Sequence, residues 1–436
     1  MQIYIGRRIR AERLKRGMLM SDLCNGLVST SRLSNVENNI TKPSQSFLIA
    51  ISTRLKLPGK FLLSYDIEDK ELFYLLNELF TNVILNIEAA KSLIELIDEN
   101  YYDYLLSPKS EVYFLLLKST YLLKTNQFSP VEKMEETYLK VYLQDIDENE
   151  MPEYLKRAYY YFYGTLNFHY SLYDSSLTYF SKLKDITDDI RVKAAVTYNT
   201  SMILRKLERY HNAIALTLES IEYYENLEQE YDIALSYNLL GALYRRIKQQ
   251  DKAQEALQVA CSISEKENFT DLLAFVYHNK GLVARDNNDI GTAITSFKKA
   301  LETKEKNQDT NILNAYCELI HCYLLDKQIE TSLSIFEKAS MLIRSKEDEH
   351  KLLYSFLDYY LLTNDEEMYE NNLDRLCKYF LAIRDHFYLK SCFIKLGVFY
   401  NNNGKYKKAS NYFYKTIHLL GEVNENEKND KNPISV

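Results

Sequence analysis

Residues 198–227, 238–267 and 278–307 read YNTSMILRKLERYHNAIALTLESIEYYENL, NLLGALYRRIKQQDKAQEALQVACSISEKE and HNKGLVARDNNDIGTAITSFKKALETKEKN. Within them Ala213, Ala253 and Ala293 are evenly spaced. A small residue, Ser201, Gly241 or Gly281, precedes each alanine at a constant offset, and Ser220, Ala260 or Ala300 follows at another. Leu257 and Phe297 occupy matching places in between. Antiparallel helices approach closely only where side chains are small, and a bulky residue must close the gap that remains. The three segments therefore read as one helix pair used three times.

Helix pairs at this spacing resemble tetratricopeptide repeats. Weaker copies extend the array, with first-helix positions at Ser119, Gly164, Ser201, Gly241, Gly281, Ile320, Tyr360 and Gly397. The implied fold class is all-α, an N-terminal helix-turn-helix domain followed by a right-handed tetratricopeptide-repeat superhelix. Only 11 Gly and 6 Pro in 436 residues fit long helices joined by short turns. At this length a single compact core is not expected. The expected divisions are a head at 1–65, linker helices at 66–108, repeats at 109–422 and a polar, disordered tail at 423–436 that carries Pro433. Inside the linker, Glu71–Ile84 and Ile87–Ile97 have apolar residues at helical spacing.

The head differs from the body in charge. Residues 1–65 hold 11 Lys or Arg and 3 Asp or Glu, whereas the whole chain has a net charge of −7. A basic head on an acidic body points to a polyanionic partner for the head alone. Ile5–Arg16 reads as an amphipathic helix, with Ile5, Ile9 and Leu14 on one side and the arginines on the other. Gly17 ends it, and a short helix anchored by Leu23 follows. Ser29 is suited to cap a third helix in which Val28, Leu33 and Val36 face a core while Thr30, Ser31, Arg32 and Asn35 point outward. Asn39 suits the left-handed exit from that helix. A fourth helix is expected over Ser46–Leu55.

The stretch LCNGLVSTSRLSNVENNITKPS, Leu23–Ser44, resembles the Xre-type helix-turn-helix of phage repressors, with its LSxxE run and the following PS. The resemblance implies that the third helix enters the major groove of double-stranded DNA. Thr30, Ser31, Arg32 and Asn35 then contact bases, and Asn suits bidentate contact with adenine. Asn38 and Lys42 fall at phosphate-contacting positions, and Glu37 pairs with Arg13. The chain departs from the pattern at Leu19 and Met20, where the family caps the second helix with Ser or Thr and follows with a phosphate-touching Gln.

In the repeats, Arg205, Arg245 and Arg285 recur with the same period as the alanines, each one helical turn past the small residue. Asn199, Asn238 and Asn279 lie just ahead of it. Asn can pair with the backbone of an extended peptide, and stacked arginines favour an anionic group. These six residues are the expected peptide-binding set, on the concave wall formed by the first helices. The alternative is a solvated face balanced by acids from neighbouring helices. Seven scattered histidines, with no HExxH, GxSxG or glycine-rich phosphate loop, assign no catalytic residue, metal or cofactor, so the chain is not expected to be an enzyme. Six cysteines without a CxxC pair and the lack of a membrane-length apolar run suit the cytoplasm and no membrane partner.

An Xre-type head joined to a long repeat body resembles the peptide-pheromone receptors Rap, NprR, PlcR and PrgX. That resemblance implies a quorum-sensing transcriptional regulator, a homodimer whose grip on DNA is reset by a short signalling peptide. Two alternatives remain open: a Rap-like role docking a response regulator, and a repeat scaffold answering to a protein partner.

Overall fold

The computed structural model describes residues 5–65, 67–101, 107–144, 148–307, 312–383 and 385–429, the side chains of 150 and 419–429 excepted. Among the described residues every regular element is helical, as the spacing predicts. The chain divides into two compact units, Met1–Ser236 and Tyr237–Val436.

The first unit begins with five short helices: α1 (Ile5–Lys15), α2 (Met20–Cys24), α3 (Thr30–Glu37), α4 (Gln45–Leu55) and α5 (Gly59–Leu63). Ile5, Ile9, Leu23, Leu33, Val36, Phe47, Ile51, Leu55 and Leu62 make their common core. Ser29 accepts from the Arg32 amide at 3.2 Å and Ser44 from the Phe47 amide at 3.3 Å, so each hydroxyl satisfies one orphan donor of a helix start. Asn39 leaves α3 at φ 63°, the left-handed conformation that Asn tolerates.

The reading of α1 needs correction. Leu14 is 44% exposed, whereas Arg7, Arg8 and Arg13 are buried. α1 is packed on two sides, so only part of it reaches water, and each of these three arginines finds polar partners inside. Arg13 donates from Nε and Nη2 to the two carboxylate oxygens of Glu37, both at 2.7 Å, which is the pair the helix-turn-helix resemblance implies.

The rest of the first unit runs through α6 (Lys70–Leu85), α7 (Ile87–Asn100), α8 (Pro108–Lys124), α9 (Phe128–Met134), a π-helical turn (Glu135–Leu139) and α10 (Lys140–Leu143). Two antiparallel pairs follow, α11 (Glu153–His169) with α12 (Tyr173–Ile186) and α13 (Ile190–Lys206) with α14 (Tyr210–Asn226). The segment expected as a linker is part of the packed body: Leu72, Leu76, Leu79, Val83, Ile94 and Ile97 share a core with Val112, Phe114 and Leu116 of α8. Lys124 closes the end of α6 by donating to the carbonyls of Val83 at 2.8 Å and Ile84 at 3.0 Å.

The second unit holds most of α15 (Glu230–Arg246), then α16 (Gln250–Lys266), α17 (Thr270–Asp286), α18 (Ile290–Lys306), α19 (Leu313–Leu325) and α20 (Ile329–Ser340). It ends with α21 (Lys346–Leu362), α22 (Glu366–Ala382), α23 (His386–Asn402) and α24 (Tyr406–Asn429). The tail expected to be disordered from Val423 begins inside α24, and its residues 430–436 lie outside the described residues.

The small-residue rule has a direct structural counterpart. A Cβ added at Gly281 would sit 2.7 Å from the Phe297 ring, and at Gly164, Gly241 and Gly397 the obstructing side chains are Phe180, Leu257 and Phe413. Each obstructing residue follows its glycine at the same offset. In the Ser201 copy a polar pair replaces it, with the Ser201 and Thr217 hydroxyls 2.6 Å apart and both bonded to the Ala213 carbonyl at 2.8 Å.

The inter-helix turns keep the same count. Asn126, Ser171, Glu208, Lys248, Asn288, Lys327 and Gly404 all have positive φ, each at one constant offset past its expected small position. Asn364 breaks the count for Tyr360. The same offset counted back from it reaches Leu357, which is fully buried, so Leu357 is the close-approach residue of the α21/α22 pair. Leu357 and Tyr360 lie on one helix face, which is why apolar spacing alone chose the wrong one.

These contacts set an expectation for Gly281→Ala. Alanine gains about 1 kcal/mol of intrinsic helix preference over glycine. Overpacking a filled core costs about 1–3 kcal/mol, and the obstructing Phe297 ring can turn only part of the way. The net expected outcome in urea denaturation is a loss of about 1 kcal/mol. A more stable single variant would contradict the packing account.

Candidate functional site

The outward side of α3 is built by the same residues that form the head's core. Leu33, Val36 and Glu37 are buried, which leaves Thr30, Ser31 and Arg32 exposed and Asn35 half-buried on the other face. The Asn35 carbonyl accepts from the amides of Ile40 at 2.8 Å and Thr41 at 3.2 Å, folding the following loop back against the helix. Lys42 stands exposed in that loop, and Asn38 is exposed at the end of α3, where its amide donates to Ser34 Oγ at 3.3 Å. Arg32 lies along α4, its guanidinium carbon 5.7 Å from the Phe47 ring centre. Hydroxyls, an amide and a guanidinium on one exposed face, with a cation at its edge, can address base edges and a phosphate together.

The departures at α2 have a structural outcome. Leu19 cannot cap with its side chain, and its amide instead donates to Asp22 Oδ2 at 3.0 Å. Met20 packs against the head's core, so the phosphate contact usual at that place has no side chain to make it.

In the second unit the first helices carry a polar row. Asn279 Nδ2 donates to Asn238 Oδ1 at 2.8 Å, joining α17 to α15. Arg245 pairs with Asp286 at 3.3 Å, Arg285 pairs with Glu318, and Lys395 pairs with Asp358 at 2.8 Å. His278 and His321 lie half-buried on the same helices. Burial lowers both histidines' pKa values from the usual range, with Arg285 acting in the same direction on each, so at neutral pH they add no charge. Burial also lowers the pKa of Arg245, and Asp286 partly offsets it. The result is a row of three cations and three carboxylates, the acid-balanced arrangement that the sequence left open as the alternative to a bare arginine row. Asn199 and Arg205 lie half-buried on α13 in the first unit, where Arg205 acts on the Tyr198 phenol.

The sequence reading did not name the paired charges, but a signal for some of them exists. Glu318 and Lys395 stand ahead of the small position of their helix by the same step as Asn199 and Asn279. Asp286 directly follows Arg285. Extending the asparagine register along the array would have found Glu318 and Lys395, and the same step counted back from Tyr360 falls on Asp358.

Helix-turn-helix proteins match this chain over residues 9–62, and tetratricopeptide repeats match over 193–266 and 276–307. The Transcriptional activator NprA of Geobacillus stearothermophilus is 25% identical over 425 residues, spanning 91% of this chain and 98% of that protein. A helix-turn-helix head joined to a repeat body, together with this likeness over nearly the whole chain, resembles the Rap/NprR/PlcR/PrgX family. Two solved NprR structures share this fold. The apo quorum sensor NprR from B. thuringiensis superposes with a TM-score of 0.67 at 17% identity, covering 80% of this chain and 99% of that one. NprR in complex with its cognate peptide NprX gives 0.60 at 16% identity, covering 81% and 100%. Both likenesses reach far beyond the segments matched as repeats.

Proposed function

We propose that the chain is a peptide-controlled transcriptional regulator that reads double-stranded DNA with α3. The observation that carries this is the division of labour in the head. Arg13 and Glu37 neutralise each other inside, while Thr30, Ser31, Arg32, Asn38 and Lys42 are left exposed together on and beside α3. The likeness to a transcriptional activator over nearly the whole chain supports the same reading. One head spans too short a site for useful specificity, so the regulator acts as a homodimer on an inverted repeat. Its place is the cytoplasm, where such DNA is found, and no catalytic step is part of its action.

The controlling ligand is a short peptide held in extended form, a reading supported by a relative solved with its cognate peptide. In the second unit the Asn238–Asn279 bridge offers one free donor set and one free acceptor set for a peptide backbone. Arg245 and Arg285 are the anionic subsites, and a carboxylate entering there exchanges with Asp286 or Glu318. Asn199 and Arg205 are the corresponding positions on α13.

This exchange predicts opposite signs for two substitutions. A charged hydrogen bond contributes about 1.5–3 kcal/mol, so Arg285→Ala should weaken an acidic peptide about ten-fold to a hundred-fold. Glu318→Gln removes the internal competitor and should tighten the same peptide. Calorimetry with the peptide that co-purifies from cells checks both. Equal affinities for wild type, Arg285→Ala, Arg245→Ala and Glu318→Gln would sink the anionic-subsite assignment.

A further inference from the structure

α1 is shared between two cores. Ile5 and Ile9 enter the core of the head, while Ala11, fully buried, belongs to the core of the body that follows it. The facing body segment is the π-helical turn and α10. Lys15 Nζ lies 5.4 Å from the Tyr138 ring centre, and Arg7 donates to the carbonyl of Gln144 at 3.2 Å. π-helical turns are rare and recur at functional places, which makes this segment an unusual surface on which to seat a domain.

At the centre of the joint is a fully enclosed polar cluster. Arg8 has no exposed surface; its Nε donates to Glu111 Oε2 at 2.8 Å and its Nη1 to the Phe61 carbonyl at 2.8 Å. Tyr142, also fully buried, donates its hydroxyl to the same Glu111 oxygen at 2.7 Å. The Arg8 guanidinium also lies 4.0 Å over the Phe61 ring. Burial works against the Arg8 charge, and Glu111 and Tyr142 more than offset it, so the arginine stays ionised. One arginine thus ties α5 of the head to α8 and α10 of the body.

The chemistry of such a cluster differs from that of an apolar contact. Apolar surfaces tolerate sliding and rotation, because the hydrophobic effect has no direction. A buried ion pair with directional hydrogen bonds does not, since any partial separation leaves a charge uncompensated in a medium that cannot solvate it. The joint therefore has two states, seated and released.

We propose that Arg8, Glu111 and Tyr142 are positioning residues that seat the head on the body and fix the direction in which α3 faces. Release leaves the head folded but free on the segment between α5 and α6. The positioning role rests on α3 being the DNA-reading helix; the seating itself does not.

The test uses the full chain and two readouts. The first is limited trypsin digestion without DNA, following cleavage between head and body, where Lys60 and Lys70 flank the connection. Glu111→Gln, Tyr142→Phe and Arg8→Met are compared with wild type. Glu111 and Tyr142 lie outside the head, so their substitution removes no part of its core. Glu111→Gln should speed this cleavage on the order of a hundred-fold, because it removes the carboxylate charge that faces the buried Arg8 and Tyr142. Arg8→Met/Glu111→Leu/Tyr142→Phe should restore slow cleavage, since an apolar replacement of a buried pair seats as well as the pair does.

The second readout is affinity for a single half-site taken from a random duplex pool with wild type. A positioning role predicts that Glu111→Gln holds this half-site within about two-fold of wild type, as the reading face itself is intact. A ten-fold or greater loss would mean that the cluster only keeps the head folded, and unchanged cleavage in both Glu111→Gln and Arg8→Met would remove the seating claim. If wild type selects no DNA at all, the DNA reading fails, and cleavage alone decides whether the cluster seats the head.

Discussion

Replacing Arg13 with alanine is expected to unfold the head while leaving the repeats helical. Arg13 and Glu37 are joined by two hydrogen bonds of 2.7 Å, and their side chains are 7% and 0% exposed. Arg13 also donates to the Met18 carbonyl at 2.9 Å, which holds the chain as it leaves α1. Removing one partner of a buried pair costs about 3–5 kcal/mol, because the other is left charged and unsolvated. A segment of this size has total stability on the order of 5 kcal/mol, so that loss takes most of it. The expected record is an early, separate transition in urea followed by the unfolding of the body. Arg13→Met/Glu37→Met should recover most of the loss, since an apolar pair of similar volume needs no counter-charge. A single unshifted transition for Arg13→Ala would show that the pair contributes little.

Gly6→Ala should be nearly as damaging for a different reason. A Cβ built at Gly6 would lie 1.9 Å from the Val36 carbonyl oxygen and 2.8 Å from its carbon. At Gly281 the obstacle is an aromatic ring that can turn, whereas here it is the backbone of α3, which cannot move without the whole helix. The cost is expected to be about 3 kcal/mol, the upper end for overpacking, and it exceeds the ~1 kcal/mol that alanine gains in a helix. The method is again urea denaturation, with amide exchange in α3 as the local probe. Stability within about 0.5 kcal/mol of wild type, the scatter of neutral surface changes, would mean that the α1–α3 seam is looser than its geometry.

How much of this was legible depended on repetition. The constant repeat spacing exposed the close approach at Gly241 and Gly281 because three copies agreed on it. It failed at Tyr360, where a single degenerate copy offered two apolar positions one turn apart. Ser29, Leu33, Val36 and Asn39 were readable because capping, burial and a left-handed exit are local demands on residue type, whereas the Arg13–Glu37 pair came only from the resemblance to a helix-turn-helix. The burial of Arg7 and Arg8 was not readable, because nothing local distinguishes an arginine that faces water from one that meets Glu111, far along the chain. Long-range pairs leave no periodic trace. The arginine row shows the same limit: its recurrence was plain, whereas its pairing with Asp286 and Glu318 was not.

The most direct measurement of the central claim is a comparison of wild type with Asn35→Ala on two DNAs: a duplex selected by wild type from a random pool, and a random duplex of equal length. Losing a bidentate base contact should cost about 1–3 kcal/mol on the selected duplex and little on the random one. Lys42→Ala, in contrast, should weaken both alike and reduce the salt dependence by about one phosphate contact. The selected duplex should be an inverted repeat, and adding the co-purified peptide should change the affinity for it without changing which bases are preferred. Equal losses for Asn35→Ala on both duplexes, or a wild-type protein that enriches no sequence, would contradict the claim that α3 reads DNA.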